Sequence, residues 1–274
     1  MRGDRFEVEV PGATLVGCVR GTGPEVLLLH GGPGISGDFF DELVDELEDG
    51  YRVAWYQQRG VLPSTPVGPY DVGTAASDAV AVLDALGWQR AVVGGFSYGG
   101  NLLMHLVVDH PDRLVAAVAI DPMGATGDGG EAGFGAGFLA RLSPERIAVM
   151  EEFDRRESAG EVFDDETSRA AFANYWPGYF AEPDAAPPLP GTVLMSGEAA
   201  SQGYQSARDA IPALTPRLAG ARVPTLFVHG GASPMPVSVS EDTAAAIGAA
   251  ARVVVVPGSG HFVWYENPGA VRSA

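Results

Sequence analysis

The chain has no lysine, only one cysteine, and no apolar run near membrane-spanning length. The lone thiol, Cys18, excludes an internal disulfide and any metal site built from several cysteines. Its longest apolar stretches, such as 114–120, fall far short of the ~20 residues needed to span a bilayer. The opening Met1-Arg2-Gly3-Asp4 leads into no apolar segment of signal-peptide length. These absences give the expectation of a soluble, cytoplasmic protein with no membrane partner. Positive charge is also scarce: 17 arginines stand against 35 acidic residues, a formal net charge of −18. Such a surface repels phosphate backbones and anionic lipid, which argues against nucleic acid as a partner. The acidic residues are spread along the chain, so they read as solubilising rather than as a docking site for one cationic partner.

What is present supports a large fold. At 274 residues and 46% hydrophobic content, the chain can bury a sizeable core. Phe6–Val10 and Thr14–Arg20 read as a β-hairpin about Pro11-Gly12. Glu25–Leu29, Tyr51–Tyr56, Ala91–Gly94 and Leu114–Ile120 are short strand-like runs. Between them, Asp38–Glu48, Thr74–Leu86 and Gly99–Asp109 place apolar residues at helical spacing, and Gly87 ends the second. Strands alternating with helices predict a parallel sheet covered on both faces, an α/β fold. Residues 123–220 break the pattern: they are glycine-rich at first, helical near 144–158 and 164–175, and proline-rich over 183–190. They read as a mostly helical insertion in a core formed by 1–122 and 221–274. The strand pattern resumes at Thr225–Val228, followed by a helix over Glu241–Ala250 with Ser240 as N-cap and a last strand at Arg252–Val256. A final helix is expected from about Pro268, cut short at Ala274.

Three segments carry candidate chemistry. Gly95-Phe96-Ser97-Tyr98-Gly99 is a G-x-S-x-G motif between a strand and a helix. A sharp turn there holds the serine in a strained backbone conformation above the sheet, and the small flanking residues let strand and helix pass closely. His30-Gly31-Gly32-Pro33-Gly34 follows the first buried strand. Its open amides suit a developing oxyanion, with the N–H groups of Gly32 and Tyr98 as the donors. His261 lies in a glycine loop, Gly258-Ser259-Gly260, at a strand's carboxyl end, where open α/β sheets place their chemistry.

Together with Tyr56-Gln57-Gln58-Arg59-Gly60, these segments resemble the proline iminopeptidase branch of the α/β-hydrolase fold superfamily. The resemblance implies an α/β-hydrolase core with a helical cap, Ser97 as nucleophile and His261 as base. Two departures stand out. Gln57 and Leu62 replace an aspartate and a glycine of the branch's Asp-Gln-Arg-Gly-x-Gly-x-Ser pattern. Ser233 stands where the triad aspartate is expected, four residues after His229. Asp121, ending the strand 114–120, preserves the Ser…Asp…His order and is taken as the acid. Trp176 and Tyr179 of the insertion are candidates for a substrate pocket, and Glu151, Glu152, Glu182 and Glu198 for holding a substrate amine as iminopeptidases do.

The expected activity is hydrolysis through an acyl-enzyme, either of a small ester, lactone or amide or, as the resemblance implies, of a short peptide by an aminopeptidase releasing a small N-terminal residue such as proline. No metal and no organic cofactor is expected. Because the base must be neutral, activity is expected to fall in acid. A second class stays open at this point: a non-hydrolytic or ligand-binding member whose altered triad is marked by Ser233.

Overall fold

A computed structural model describes residues 1–161 and 163–274. The strands β1 (Asp4–Val10) and β2 (Ala13–Arg20) pair as the expected hairpin, with Gly12 at φ 77°. Six more follow: β3 (Glu25–Leu29), β4 (Arg52–Gln57), β5 (Ala91–Phe96), β6 (Leu114–Ile120), β7 (Thr225–Gly230) and β8 (Ala251–Val256). All eight form one sheet in the order β1-β2-β4-β3-β5-β6-β7-β8. The hairpin joins β4 antiparallel, and every pairing from β4 to β8 is parallel. The chain leaves β3 for β4 on one side and later returns to β5 on the other. That reversal opens a crevice at the carboxyl ends of the central strands.

The helices are α1 (Asp41–Leu47), α2 (Val72–Ala85), α3 (Tyr98–Asp109), α4 (Glu131–Leu139), α5 (Pro144–Ser158), α6 (Asp165–Tyr175), α7 (Gly197–Leu218), α8 (Val237–Ile247), α9 (Val263–Glu266) and α10 (Ala270–Ser273). Successive residues of a strand point to opposite faces, so a strand buried on both sides reads as a continuous apolar run. In β3, Leu27 and Leu29 belong to the apolar cluster on the face that holds α2, α3 and α8, whereas Val26 and Leu28 belong to the cluster on the face that holds α1 and α9. The second face is unusually aromatic, with Phe39, Phe40, Trp55, Phe96, Phe262 and Trp264 in mutual contact.

Several boundaries differ from those expected, each for a local reason. The 38–48 helix begins as a tight 3-10 turn over Gly37–Phe40. Helix α2 starts two residues early because the Asp71 carboxylate accepts the Thr74 N–H at 2.9 Å. Ser240 is not an N-cap: α8 starts at Val237, and Ser240 is buried within it, 2.8 Å from His229 Nδ1. The 123–220 segment holds α4 to α7. Ala207, Ile211, Leu214 and Leu218 of α7 join the apolar cluster around α3, so by packing the second half of that helix is part of the core.

Candidate active site

At the carboxyl end of β5 the chain turns sharply into α3, and Ser97 occupies the turn at φ 53° and ψ −120°. A non-glycine residue there is strained, and the surrounding contacts hold it in place. Its N–H donates to the Ile120 carbonyl at 3.1 Å, and its carbonyl accepts the Met123 N–H at 2.9 Å. Both neighbouring glycines are obligatory. A Cβ on Gly95 would fall 2.2 Å from the Gly99 carbonyl oxygen, and one on Gly99 would fall 2.1 Å from that of Leu29.

Beside this turn lies the loop after β3. Gly31 approaches so closely that a Cβ there would sit 2.7 Å from Cβ of Ser97. Gly32 adopts φ 55°. Neither the Gly32 nor the Tyr98 N–H has a protein acceptor among the described residues, and Tyr98 is the first residue of α3, where amides are left unpaired by helix geometry. The loop is pinned from the insertion. Ser196 N–H donates to Gly34 O at 2.6 Å, and Ser36 bonds Leu194 through both its backbone and its hydroxyl. Beneath it, His30 is buried and neutral: its Nε2 accepts the Gln58 N–H at 3.0 Å, and burial lowers its pKa to about 4.

Asp121 ends β6 in a left-handed conformation, φ 39°, and is fully buried. Its Oδ1 lies 2.7 Å from His261 Nδ1 and accepts the Ser233 hydroxyl at 2.7 Å, while Oδ2 accepts the Gly230 N–H at 2.8 Å. A carboxylate oxygen accepting from the imidazole at this position fixes His261 as the Nδ1–H tautomer, with Nε2 as the ring's remaining acceptor. The loop of His261 is packed rather than loose: its N–H donates to Tyr179 O at 2.7 Å, and the ring stacks on that of Tyr179 with centroids 5.5 Å apart.

Ser97, His261 and Gly32 line one narrow cavity of about 50 Å³. Its other walls are largely aromatic, including Phe134, Phe172, Tyr179, Tyr204 and Phe262. Burial raises the Tyr179 phenol pKa, so it stays protonated in ordinary buffers. Trp176, expected in the pocket, is not on this surface. It is buried against Phe180 and Phe262, with its indole N–H donated to Pro187 O at 2.7 Å. Glu151, Glu152, Glu182 and Glu198 are all exposed and line none of the cavity. Tyr204 had no sequence signal: it sits on α7, whose internal Pro212 and Pro216 mask the helix.

The sequence profile of the alpha/beta hydrolase fold matches residues 24–268. The chain belongs to the alpha/beta hydrolase fold family. It is 39% identical over 102 residues to a Caulobacter segnis protein provisionally named carbamate hydrolase RutD, a match covering 36% of this chain and 38% of that one. The chain thus aligns with well under half the length of these curated relatives. A hydrolase structure from Pseudomonas aeruginosa PA01 is 25% identical with a TM-score of 0.74, covering 100% of this chain and 98% of that one. A proline iminopeptidase of Mycobacterium smegmatis superposes with a TM-score of 0.68 over 98% of this chain and 95% of its own, at 20% identity. At that identity the likeness shows the fold alone, and the iminopeptidase is one neighbour among several.

Within this family fold, the two departures have local explanations. Gln57 accepts the Gly37 N–H at 2.9 Å and donates to Asp38 at 3.2 Å, where an aspartate would face a second carboxylate. Arg59 forms a buried two-pronged pair with Asp78, and Ser64 bridges Gln57 O and the Val16 N–H, so this segment ties β2, β4 and α2 together. Ser233 donates to the same Asp121 oxygen that faces His261. Among the described residues no group of three His, Cys, Asp or Glu side chains is arranged to hold a metal, and no helix is long and apolar enough to cross a membrane.

Proposed function

We propose that this chain is a serine hydrolase cleaving small, uncharged carbonyl substrates (esters, carbamates or amides) through an acyl-enzyme. The observation that carries this reading is the 2.7 Å contact of Asp121 with His261 Nδ1, which frees Nε2 on the cavity that also exposes Ser97. Ser97 Oγ attacks the substrate carbonyl and its proton passes to His261 Nε2. The amides of Gly32 and Tyr98 receive the oxyanion. Removing one such donor from a site of this kind costs about 2.7–4 kcal/mol. His261 returns the proton to the leaving group as the tetrahedral intermediate collapses. A water then repeats the sequence on the acyl-enzyme and regenerates Ser97. Asp121 stays ionised and stabilises the imidazolium that forms twice per cycle.

The cavity favours esters and amides over an aminopeptidase substrate. A free α-ammonium needs a carboxylate partner when it is desolvated. None lines the cavity, whose walls are mostly aromatic rings. A relative over about a third of the chain carries the name carbamate hydrolase, which is also hydrolysis at a carbonyl carbon.

A fluorophosphonate probe followed by intact-mass analysis tests the mechanism. A single adduct on Ser97 is expected, absent in Ser97→Ala. A panel of short acyl esters, a carbamate and proline anilide tests the substrate class, with turnover of the neutral substrates expected to exceed that of the anilide. No adduct on wild type, or proline anilide as the preferred substrate, refutes the corresponding half of the reading.

A further inference from the structure

Glu266 ends α9, five residues after His261, and its carboxylate joins two segments distant in sequence. Oε2 accepts the N–H of Gly260, the residue just before His261, at 2.5 Å. Oε1 accepts the N–H of Ala181, in the insertion, at 2.8 Å. Two residues before Ala181 is Tyr179, whose carbonyl accepts the His261 N–H and whose ring covers the imidazole. The fit leaves no slack: a Cβ on Gly260 would fall 2.5 Å from Tyr179 O, 2.7 Å from Ala181 N and 2.8 Å from Glu266 Oε2.

We infer that Glu266 is a positioning residue that locks the His261 loop to the segment 179–181, whose Tyr179 lines the cavity. The inference rests on the proposed hydrolase reading for its kinetic consequence, but not for its structural one. Amide bonds to an ionised carboxylate are stronger than neutral ones, and here one carboxylate satisfies an amide on each side of the boundary between core and insertion. The base must serve both Ser97 Oγ and the leaving group, and a misplacement near 1 Å costs about 100-fold in rate. With Glu266 in place, His261 and its tyrosine wall move as one body. The other charges facing Glu266 are the Arg141 guanidinium and the Asp121 carboxylate. Arg141 itself donates to Gly137 O and Ala232 O, so its charge approaches Glu266 without replacing the two amides as partner.

The test is Glu266→Gln, which keeps the shape but turns an amino group toward one of the two N–H donors. We expect a folded protein in which kcat falls about 10- to 100-fold with a smaller change in KM. Two readouts do not depend on turnover: amide hydrogen exchange at 179–181 is expected to accelerate, and the low-field Nδ1–H proton resonance of His261 to shift or vanish. Should that variant fail to fold, Glu266→Asp, which keeps the charge and shortens the reach by one methylene, carries the same measurements. Wild-type exchange and an unmoved resonance overturn the inference whatever the activity. Altered exchange and resonance in a protein whose wild type is never labelled at Ser97 uphold the lock and refute the hydrolase reading instead. An unchanged kcat in the face of altered exchange also overturns the positioning role.

Discussion

The sharpest test of the candidate machinery is Asp121→Asn. Asp121 accepts three hydrogen bonds: from the Gly230 N–H on Oδ2, and from the Ser233 hydroxyl and His261 Nδ1–H on Oδ1. An asparagine has one oxygen and one amino group to distribute between these sides. With its oxygen toward His261, its amino group meets the Gly230 N–H, and a buried donor left facing a donor costs about 1–3 kcal/mol. Flipped, its oxygen accepts from Gly230 and its amino group donates to His261 Nδ1. The flip is therefore preferred by about 5- to 150-fold. It moves the imidazole proton to Nε2, where His261 can no longer deprotonate Ser97. In serine triads the wrong tautomer costs about 10⁴ in kcat, so the second-order rate of fluorophosphonate labelling is expected to fall by about 10³–10⁴, or about 4–5.5 kcal/mol in barrier. Folding stability should change only modestly: the Gly230 N–H and the His261 ring stay paired in the flipped state, and the half-buried Ser233 hydroxyl, which loses its acceptor, can turn to accept from the asparagine amino group. The assay is labelling followed by intact mass at pH 8, with melting curves alongside. Labelling within tenfold of wild type by a fully folded variant would remove Asp121 from the acid role.

Ser233→Asp sets a second carboxylate against an Asp121 oxygen that Ser233 now reaches at 2.7 Å; at ~3.5 Å and an effective dielectric near 20 the repulsion is about 5 kcal/mol, so one of the pair is expected to hold a proton and the melting temperature to fall more at pH 8 than at pH 5. Equal losses at both values would count against a shared site. His30, lowered by burial to about 4, takes up a proton in the unfolded chain first, so its contribution is complete above about pH 7 and is lost between about 6.5 and 4, by up to about 3 kcal/mol. Urea unfolding at pH 7 and pH 4.5 should show a shallower loss in His30→Gln than in wild type, and parallel losses would contradict this. Gly99→Ala presses a methyl to 2.1 Å of the Leu29 carbonyl, backbone against backbone, and is expected to cost at least 1–3 kcal/mol and several degrees of melting temperature.

The sheet was legible because its strands are buried on both faces and therefore read as continuous apolar runs, β3 most plainly with Val26 to Leu29 all buried. Ser97 and the Gly31-Gly32 loop were legible because glycines at Gly95, Gly99 and Gly31 mark close backbone approaches that no other residue permits. The insertion was legible only in outline. Which of its aromatic rings turn toward Ser97 depends on how the segment folds back over the core, and periodicity does not encode that. Trp176 and Tyr179 lie three residues apart in one turn, yet the indole is spent on Phe180 and Phe262 while the phenol covers His261. Ser240 misled for a related reason. A serine before a helical run is a good N-cap by local chemistry, but here the hydroxyl binds His229 and the Pro236 backbone opens the helix.

The position of the acid shows why sequence position and spatial role come apart. What the base requires is a carboxylate oxygen at hydrogen-bond distance from His261 Nδ1, not a particular residue number. Strands β6 and β7 are parallel neighbours, and their carboxyl ends are joined by the Asp121 N–H to Val228 O bond at 2.8 Å. Side chains leaving either end can therefore converge on the same point. They do so here, with the Ser233 hydroxyl and the His261 ring both within 2.7 Å of one Asp121 oxygen. A serine at 233 is then a donor to Asp121, the acid proposed at the end of β6. The same geometry makes the two positions mutually exclusive as aspartates, since a second charge would meet the first before it met the histidine. The reciprocal exchange, Asp121→Ser with Ser233→Asp, keeps one carboxylate and one hydroxyl in that space. It should therefore label at Ser97 at least tenfold faster than Asp121→Ser alone, and failure to do so would mean that the β6 end, with its left-handed backbone at Asp121, is the one from which His261 can be reached.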